Sequence, residues 1–325
     1  MYKWQWCSIW VGALIAVNAY ANDSTGFVET GGVEYLHNPK IAMQSEDLFM
    51  SKKQIRVAYQ FKNLTDQDIE ETVLFPLPRV GSARESDFAD TEGLIQSFQI
   101  RQQGKPVQPK THVRAFLPDM RQSKHDSADY PLIDVTSELK ACGLSEMDLM
   151  YPWMQNQDVK KISQKMLQCT NPKIQQLLQS YQQDDEVYWE AQVVYSWQQR
   201  FKAHAITHIQ HQYQPLVGGS VALYPEQDEK TYCMDATFKA GLNKAKAQQA
   251  PYQALGYILT TGANWAKPIA DFKLTIERDV GELVSFCWEG KVQKISSTRF
   301  EIRKKNFVPK QDLNIIFVNT KFRFE

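Results

Sequence analysis

His204, His208 and His211 are three of the six histidines and form the one histidine cluster of the chain. On a helix, steps of four and three would put all three imidazoles on one side, an arrangement suited to a metal ion. The surrounding residues alternate as a strand does, which separates them. His204 and His208 then share a face roughly 13 Å apart and His211 points the other way, so one ion cannot be held by the three. The expectation is structural or surface histidines and no metal site. Glu85, Asp87, Asp90 and Glu92 form an acidic run that could offer oxygens to calcium, but it lacks the spacing and the glycine of an EF-hand loop. It reads as a solvated loop. Glu46-Asp47 and Asp184-Asp185-Glu186 are weaker still. No G-x-S-x-G elbow, G-x-G-x-x-G turn or phosphate-binding loop occurs. No catalytic residue and no cofactor are therefore expected.

Gly262-Ala263-Asn264-Trp265 places an indole in a loop instead of on an alternating face. Asn264 and Trp265 are a candidate binding loop that would stack on a sugar ring or a partner side chain. The competing reading makes Trp265 a plug between two domains, since large aromatics bury well at seams. A glycan hydrolase would need paired carboxylates, for instance Asp87 and Asp235, brought to about 5–9 Å beside Trp265.

The elements that position these groups begin with an address. Residues 1–21 carry one charge, Lys3, an apolar stretch over 9–17 and the small-x-small run Ala19-Tyr20-Ala21. This is the pattern of a secretory signal cleaved after Ala21, and its apolar part is shorter than the roughly 20 residues of a membrane span. Cleavage removes Cys7 and leaves Cys142, Cys169, Cys233 and Cys287, an even number suited to an oxidising compartment. Four cysteines allow three connectivities, and spacing alone does not choose. Cys142 and Cys169 bracket one helix-rich segment, and Cys233 and Cys287 share the C-terminal third, which favours those two pairs. Each would contribute roughly 3–4 kcal/mol by restricting the unfolded chain. No C-x-x-C is present to suggest metal or redox chemistry.

Along the chain, Ile55, Val57, Tyr59 and Phe61 alternate with polar residues as a half-buried strand. A polar turn over 63–68 and a second strand over 69–75 predict a hairpin, ended by Phe75-Pro76-Leu77-Pro78. Residues 94–100 alternate again. From about 137 to 183 the period lengthens, with Val159, Ile162, Met166 and Leu167 forming the stripe of an amphipathic helix. Strands are expected again over 187–197 and 203–213. Residues 235–247 and 252–259 predict short helices, followed by strands over 272–276, 283–288, 299–302 and 313–318. Asn63-Leu64-Thr65 is read as a turn signal and Gly218-Gly219 as a turn.

Several stretches resemble a known family. Asn22-Asp23-Ser24-Thr25, Phe75-Pro76-Leu77-Pro78, Tyr213-x-Pro215-x-x-Gly218-Gly219, Tyr232-Cys233-Met234-Asp235 and the run from Tyr257 to Trp265 are similar to the exported bacterial family of domain of unknown function 4424. The segment ending in the proline pair also resembles, over fewer than 60 residues, the β-sandwich of vault and inter-alpha-trypsin proteins. Neither resemblance brings an activity or a catalytic residue.

Lys plus Arg and Asp plus Glu each number 37 in 325 residues, so no overall field attracts a polyanion and nucleic acid is not an expected partner. The fold class expected is mainly β: a two-domain antiparallel β-sandwich-like architecture with a helical insert at 137–183 and short helices opening the C-terminal domain. The expected boundaries are 1–21, 22–216 and 217–325. The expected role is a periplasmic, non-catalytic binding protein of the cell envelope, not integral to the membrane after signal removal, whose partner is another envelope protein or component.

Overall fold

The computed structural model describes residues 24–29, 32–81, 90–122, 130–152, 159–181, 186–220 and 222–321. The expected signal segment, Asp87 and most of the acidic run lie outside the described residues.

Apolar alternation builds two large sheets. One orders β10 (Leu132–Asp134), β9 (Lys110–Pro118), β11 (Glu190–Phe201), β5 (Ile69–Pro76), β1 (Ser24–Glu29) and β2 (Gly32–Leu36), with β6 (Val80–Gly81) also on β11. The other orders β17 (Gln293–Lys294), β18 (Arg299–Phe307), β15 (Ile269–Glu277), β3 (Ile41–Met50), β4 (Ile55–Asn63), β12 (Ile206–Tyr213), β7 (Gln99–Gln102) and β8 (Lys105–Val107). A smaller sheet orders β13 (Gly218–Ser220), β14 (Tyr252–Tyr257), β19 (Leu313–Asn319) and β16 (Glu282–Phe286). The protein is mainly β and sandwich-like, and among the described residues every pairing between strands except β15 with β3 is antiparallel.

The alternating face of β4 is fully buried, whereas Arg56 between its members is exposed. Facing residues of β5 and β11 come from the other sheet, so rings interlock across the interior: Phe75 and Trp197 stand 4.8 and 5.2 Å from His211 of β12. The hairpin expected from β4 and β5 does not form. β4 pairs with β3 and β12, while β5 pairs with β11 and β1. Two apolar faces can meet across a sandwich as well as side by side, and here the chain crosses from one sheet to the other. It crosses back between β11 and β12, through a turn that holds His204 at φ 52°, so the second strand starts at Ile206 and not at 203. Asn63 knits the two crossings together. Its buried amide donates to the carbonyls of Gln67 at 2.7 Å and Phe201 at 3.0 Å, and its oxygen accepts from the Thr65 N–H at 2.9 Å.

The helical insert comprises α2 (Thr136–Ala141), α3 (Glu146–Met150), α4 (Val159–Leu167) and α5 (Pro172–Leu177), preceded by α1 (Thr91–Gln96) outside it. Caps explain the starts: Ser145 and Asp148 form a reciprocal box on α3, and Asn171 caps α5 with Pro172 in its first turn. Residues 94–100 are not one strand. The Asp90 side chain accepts from the Gly93 N–H at 2.7 Å and starts α1, leaving only Gln99 onward to β7.

Helices α6 (Pro225–Thr231) and α7 (Ala236–Ala245) open the C-terminal part, but residues 252–257 form β14, because pairing with β13 and β19 overrides the helix preference of Ala254 and Leu255. The expected boundary at 216/217 runs through shared structure: β15 pairs in parallel with β3, placing C-terminal strands in the eight-stranded sheet. A smaller core of Met234, Phe238 and Leu242 packs on Ile316 and Val318. Lys52, on the turn between β3 and β4, ties the sheets by reaching Gln253 at 2.9 Å, Asp279 at 3.2 Å and Glu282.

Cys142 pairs with Cys169 at a Cα separation of 5.4 Å, joining the end of α2 to the end of α4. Cys233 pairs with Cys287 at 4.9 Å, joining the α6–α7 corner to the end of β16. Peptide mapping without reduction is expected to recover these two links. A Cys142–Cys233 peptide would refute the pairing.

Candidate functional site

Two strand margins create a cleft. Proline cannot donate to a ladder, so β5 stops at Pro76, bends through Leu77 and Pro78, and resumes as β6 opposite the start of β11. On the other side, β13 covers β14 only over residues 252–254, while β19 pairs along all of β14. Only glycine lets β13 close this far: a β-carbon on Gly219 would collide with the Tyr252 carbonyl oxygen. A cavity of about 670 Å³ lies between the two margins.

Its lining mixes ring, backbone and ionic chemistry. Arg79 lies 5.1 Å over the Phe116 ring and 3.9 Å from the Glu190 carboxylate, which also accepts from the Tyr188 hydroxyl at 3.1 Å. The Tyr232 and Tyr252 rings meet edge to face at 6.1 Å, and the Tyr252 hydroxyl donates to Asp228 at 3.1 Å. Burial, followed by Tyr232 and the Asp228 charge, pushes the Tyr252 phenol up, so it remains a neutral donor. Asp312 closes the end of β14 by accepting the N–H groups of Leu259 and Thr260 at 3.0 and 3.1 Å. Such a site can grip a ligand through rings, backbone groups and one ion pair.

The expected candidate residues are scattered elsewhere. Trp265 is 2 % exposed and its ring centroid lies 4.5 Å from that of Phe61, so the face a sugar would need is occupied. The Asn264 carbonyl accepts from the Asn38 N–H at 2.8 Å, which stitches the loop to the start of β3. Asp235 is exposed and caps α7 by accepting from the Phe238 N–H at 2.7 Å beside the smaller core, whereas Trp265 belongs to the larger one. His204 meets Asp66 at 2.7 Å in its turn, His208 is exposed, and His211 is buried on the opposite face of β12. Among the described residues, no three His, Cys, Asp or Glu side chains converge as a metal site requires. Gly218 and Gly219 form an edge strand and not a turn. The outer face of the eight-stranded sheet carries another trough, of about 510 Å³, but ion pairs such as Lys273–Asp47 at 2.9 Å neutralise its charges.

Arg79, Glu190, Tyr252, Gly256 and Asn314 line the cleft without having stood out in the sequence. What could have found it is the set of stretches carrying the family resemblance. Four of them supply lining residues: Pro78, the Leu216 and Gly218-Gly219 segment, Tyr232, and Tyr257-Ile258. Among the described residues, no helix is long and apolar enough to cross a membrane.

Comparison with known proteins gives a family and little else. No curated protein matches this chain in sequence. A crystal structure from Legionella pneumophila, described as "a putative nutrient binding protein", is 13 % identical, covering 91 % of this chain and 70 % of its own. Its TM-score of 0.40 lends it no weight in any functional argument. The sequence signature described as "Domain of unknown function (DUF4424)" matches residues 21–316, and the chain belongs to that family.

Proposed function

We propose that this chain is exported by a signal segment cleaved after Ala21 and acts in the bacterial periplasm as a non-catalytic binding protein of the envelope, with the cleft between β6 and β14 as its binding site. The observation that carries this reading is the convergence of four separate family-like stretches on one cavity. The two cysteine pairs support an oxidising compartment. The rings, glycines and single Arg–Glu pair of the lining suit recognition of another envelope protein or envelope component.

Gly256 gives the test a precise handle. A β-carbon there has room, its nearest neighbour being Asn314 Oδ1 at 3.5 Å, so Gly256→Leu adds bulk beside a lining residue without forcing the backbone. Native protein from the periplasmic fraction is expected to begin at Asn22 with no free thiol. Cross-linking in intact cells is expected to trap an envelope component at least tenfold less well with Gly256→Leu, at unchanged melting temperature. Equal trapping by both proteins, or an uncut cytosolic chain with free thiols, overturns the proposal.

A further inference from the structure

Two helices end on the same kind of turn, and each turn carries one half of a disulfide. Helix α2 ends at Cys142, followed by Gly143 at φ 83°, and the Leu144 N–H donates to the Leu139 carbonyl at 3.1 Å. Helix α6 ends at Tyr232, followed by Cys233 at φ 48°, and the Met234 N–H donates to the Glu229 carbonyl at 3.1 Å. The left-handed position of such a turn is usually filled by glycine, because a β-carbon there crowds the backbone. Beside Cys142 a glycine fills it. At the α6–α7 corner the cysteine itself stands in it and carries the crosslink.

The surroundings differ in the same direction. Cys169 is 4 % exposed within the larger core, and Cys142 packs against that core. Cys233 is exposed and Cys287 half-buried, and among the described residues neither core includes them. Exposed or strained disulfides are the ones that thiols open most readily. Opening this one lets Cys233 leave its left-handed conformation, so backbone strain favours the reduced form. Besides the disulfide, Ser285 of β16 holds the corner: its hydroxyl donates to the Tyr232 carbonyl at 2.9 Å, with the Cys233 carbonyl at 3.3 Å. Tyr232 is also the residue whose ring meets Tyr252 and lines the cleft.

We infer that Cys233–Cys287 is a thiol-operated switch on the cleft wall: a dithiol opens it while Cys142–Cys169 stays closed, and opening frees the corner that carries Tyr232. The oxidised form is the resting one. The partner class is a dithiol, such as the active-site pair of a thiol–disulfide oxidoreductase. One of its thiolates attacks the Cys233 sulfur, forming a mixed disulfide and releasing Cys287 as a thiolate that takes up a proton. Its second thiolate then attacks its own partner sulfur in the mixed disulfide and releases Cys233, which is protonated in turn. Two electrons and two protons pass to the protein, and the dithiol leaves as a disulfide. The effect on binding rests on the cleft being the binding site; the selective opening does not.

The test uses the mature, disulfide-intact protein and dithiothreitol, with freed thiols labelled by iodoacetamide and located by peptide mass spectrometry. Cys233 and Cys287 are expected to be labelled at least tenfold faster than Cys142 and Cys169, with the fold retained. Hydrogen exchange in the singly reduced protein is expected to quicken at least tenfold at residues 231–235. Combining Cys233→Ser with Cys287→Ser is expected to give the same local quickening without reductant, and at least threefold weaker cross-linking to the envelope component. Equal labelling rates, earlier opening of Cys142–Cys169, or loss of the whole fold when the exposed bridge opens overturns the switch. Selective opening with unchanged exchange at 231–235 overturns it too. Cross-linking that Gly256→Leu weakens and the double variant does not leaves the cleft standing and overturns its control by the disulfide. Cross-linking indifferent to Gly256→Leu removes the cleft, and labelling and exchange then decide the disulfide by themselves.

Discussion

Between pH 7.5 and pH 5 the protein is expected to lose about 2 kcal/mol of unfolding free energy that His211→Phe does not lose. His211 is fully buried within β12, ringed by Tyr59, Phe75, Phe98 and Trp197 at centroid distances of 5.6, 4.8, 5.5 and 5.2 Å. Burial disfavours the imidazolium and lowers its pKa from 6.5 to about 3. The unfolded chain therefore binds a proton that the folded chain refuses between those values. Stability is full above pH 6.5 and falls as the pH drops, by up to about 1.4 kcal/mol per pH unit. The complete loss, near pH 3, would be roughly 5 kcal/mol. His112 has its pKa lowered mainly by burial and adds a slope of the same sign, but it is common to both proteins and cancels in the difference. The lowered carboxylates Asp68, Asp119, Glu138 and Asp148 act in more acid solution, because their stabilisation is present above their unfolded pKa and is lost only as the pH falls through the folded one. Phenylalanine keeps a ring among the four neighbours. Urea unfolding of both proteins at several pH values measures the difference, and parallel losses would show that His211 does not drive it.

The histidine strand also shows what a sequence reveals and what it hides. Alternation placed His208 and His211 on opposite faces, because a period of two depends only on local backbone geometry. The same alternation marked 55–61 and 69–75 as strands but did not say that each would join a different sheet, since side-by-side and face-to-face burial leave the same pattern. Asp90 shows a local signal outweighing a periodic one: one carboxylate bonded to the Gly93 N–H turned an apparent strand into α1. β14 shows the reverse, with good helix formers held as a strand by partners at 218–220 and 313–318. The cysteine pairs were legible because their segments are compact in sequence. The cleft was not. Its walls come from residues near 80, 218, 255 and 313, and most carry no distinctive chemistry, so the cavity becomes visible only after the strands have been placed in their sheets.

Trp189→Ala is expected to cost about 3–5 kcal/mol, the range for truncating a fully buried tryptophan. The indole is 0 % exposed, just ahead of β11, and its Nε1–H donates to the Leu149 carbonyl of α3 at 3.2 Å. Two residues earlier, the Val187 N–H donates to Ser163 of α4 at 2.9 Å, so one short segment grips two helices of the insert. Leu149, Ile162, Met166, Ile174 and Leu177 of that insert belong to the same continuous core as β4, β5 and β11. The helices are thus part of the sandwich and cannot detach without opening its interior. Trp189→Phe keeps most of the packing and gives up the hydrogen bond, so it should cost clearly less than the alanine change. Unfolding of Trp189→Ala is expected to remain one cooperative transition, with faster hydrogen exchange reaching both the insert and β11. Exchange confined to residues 136–181 would show instead that the insert is a separate unit stapled by Cys142–Cys169, and that Trp189 fastens it without being part of the core that holds both sheets.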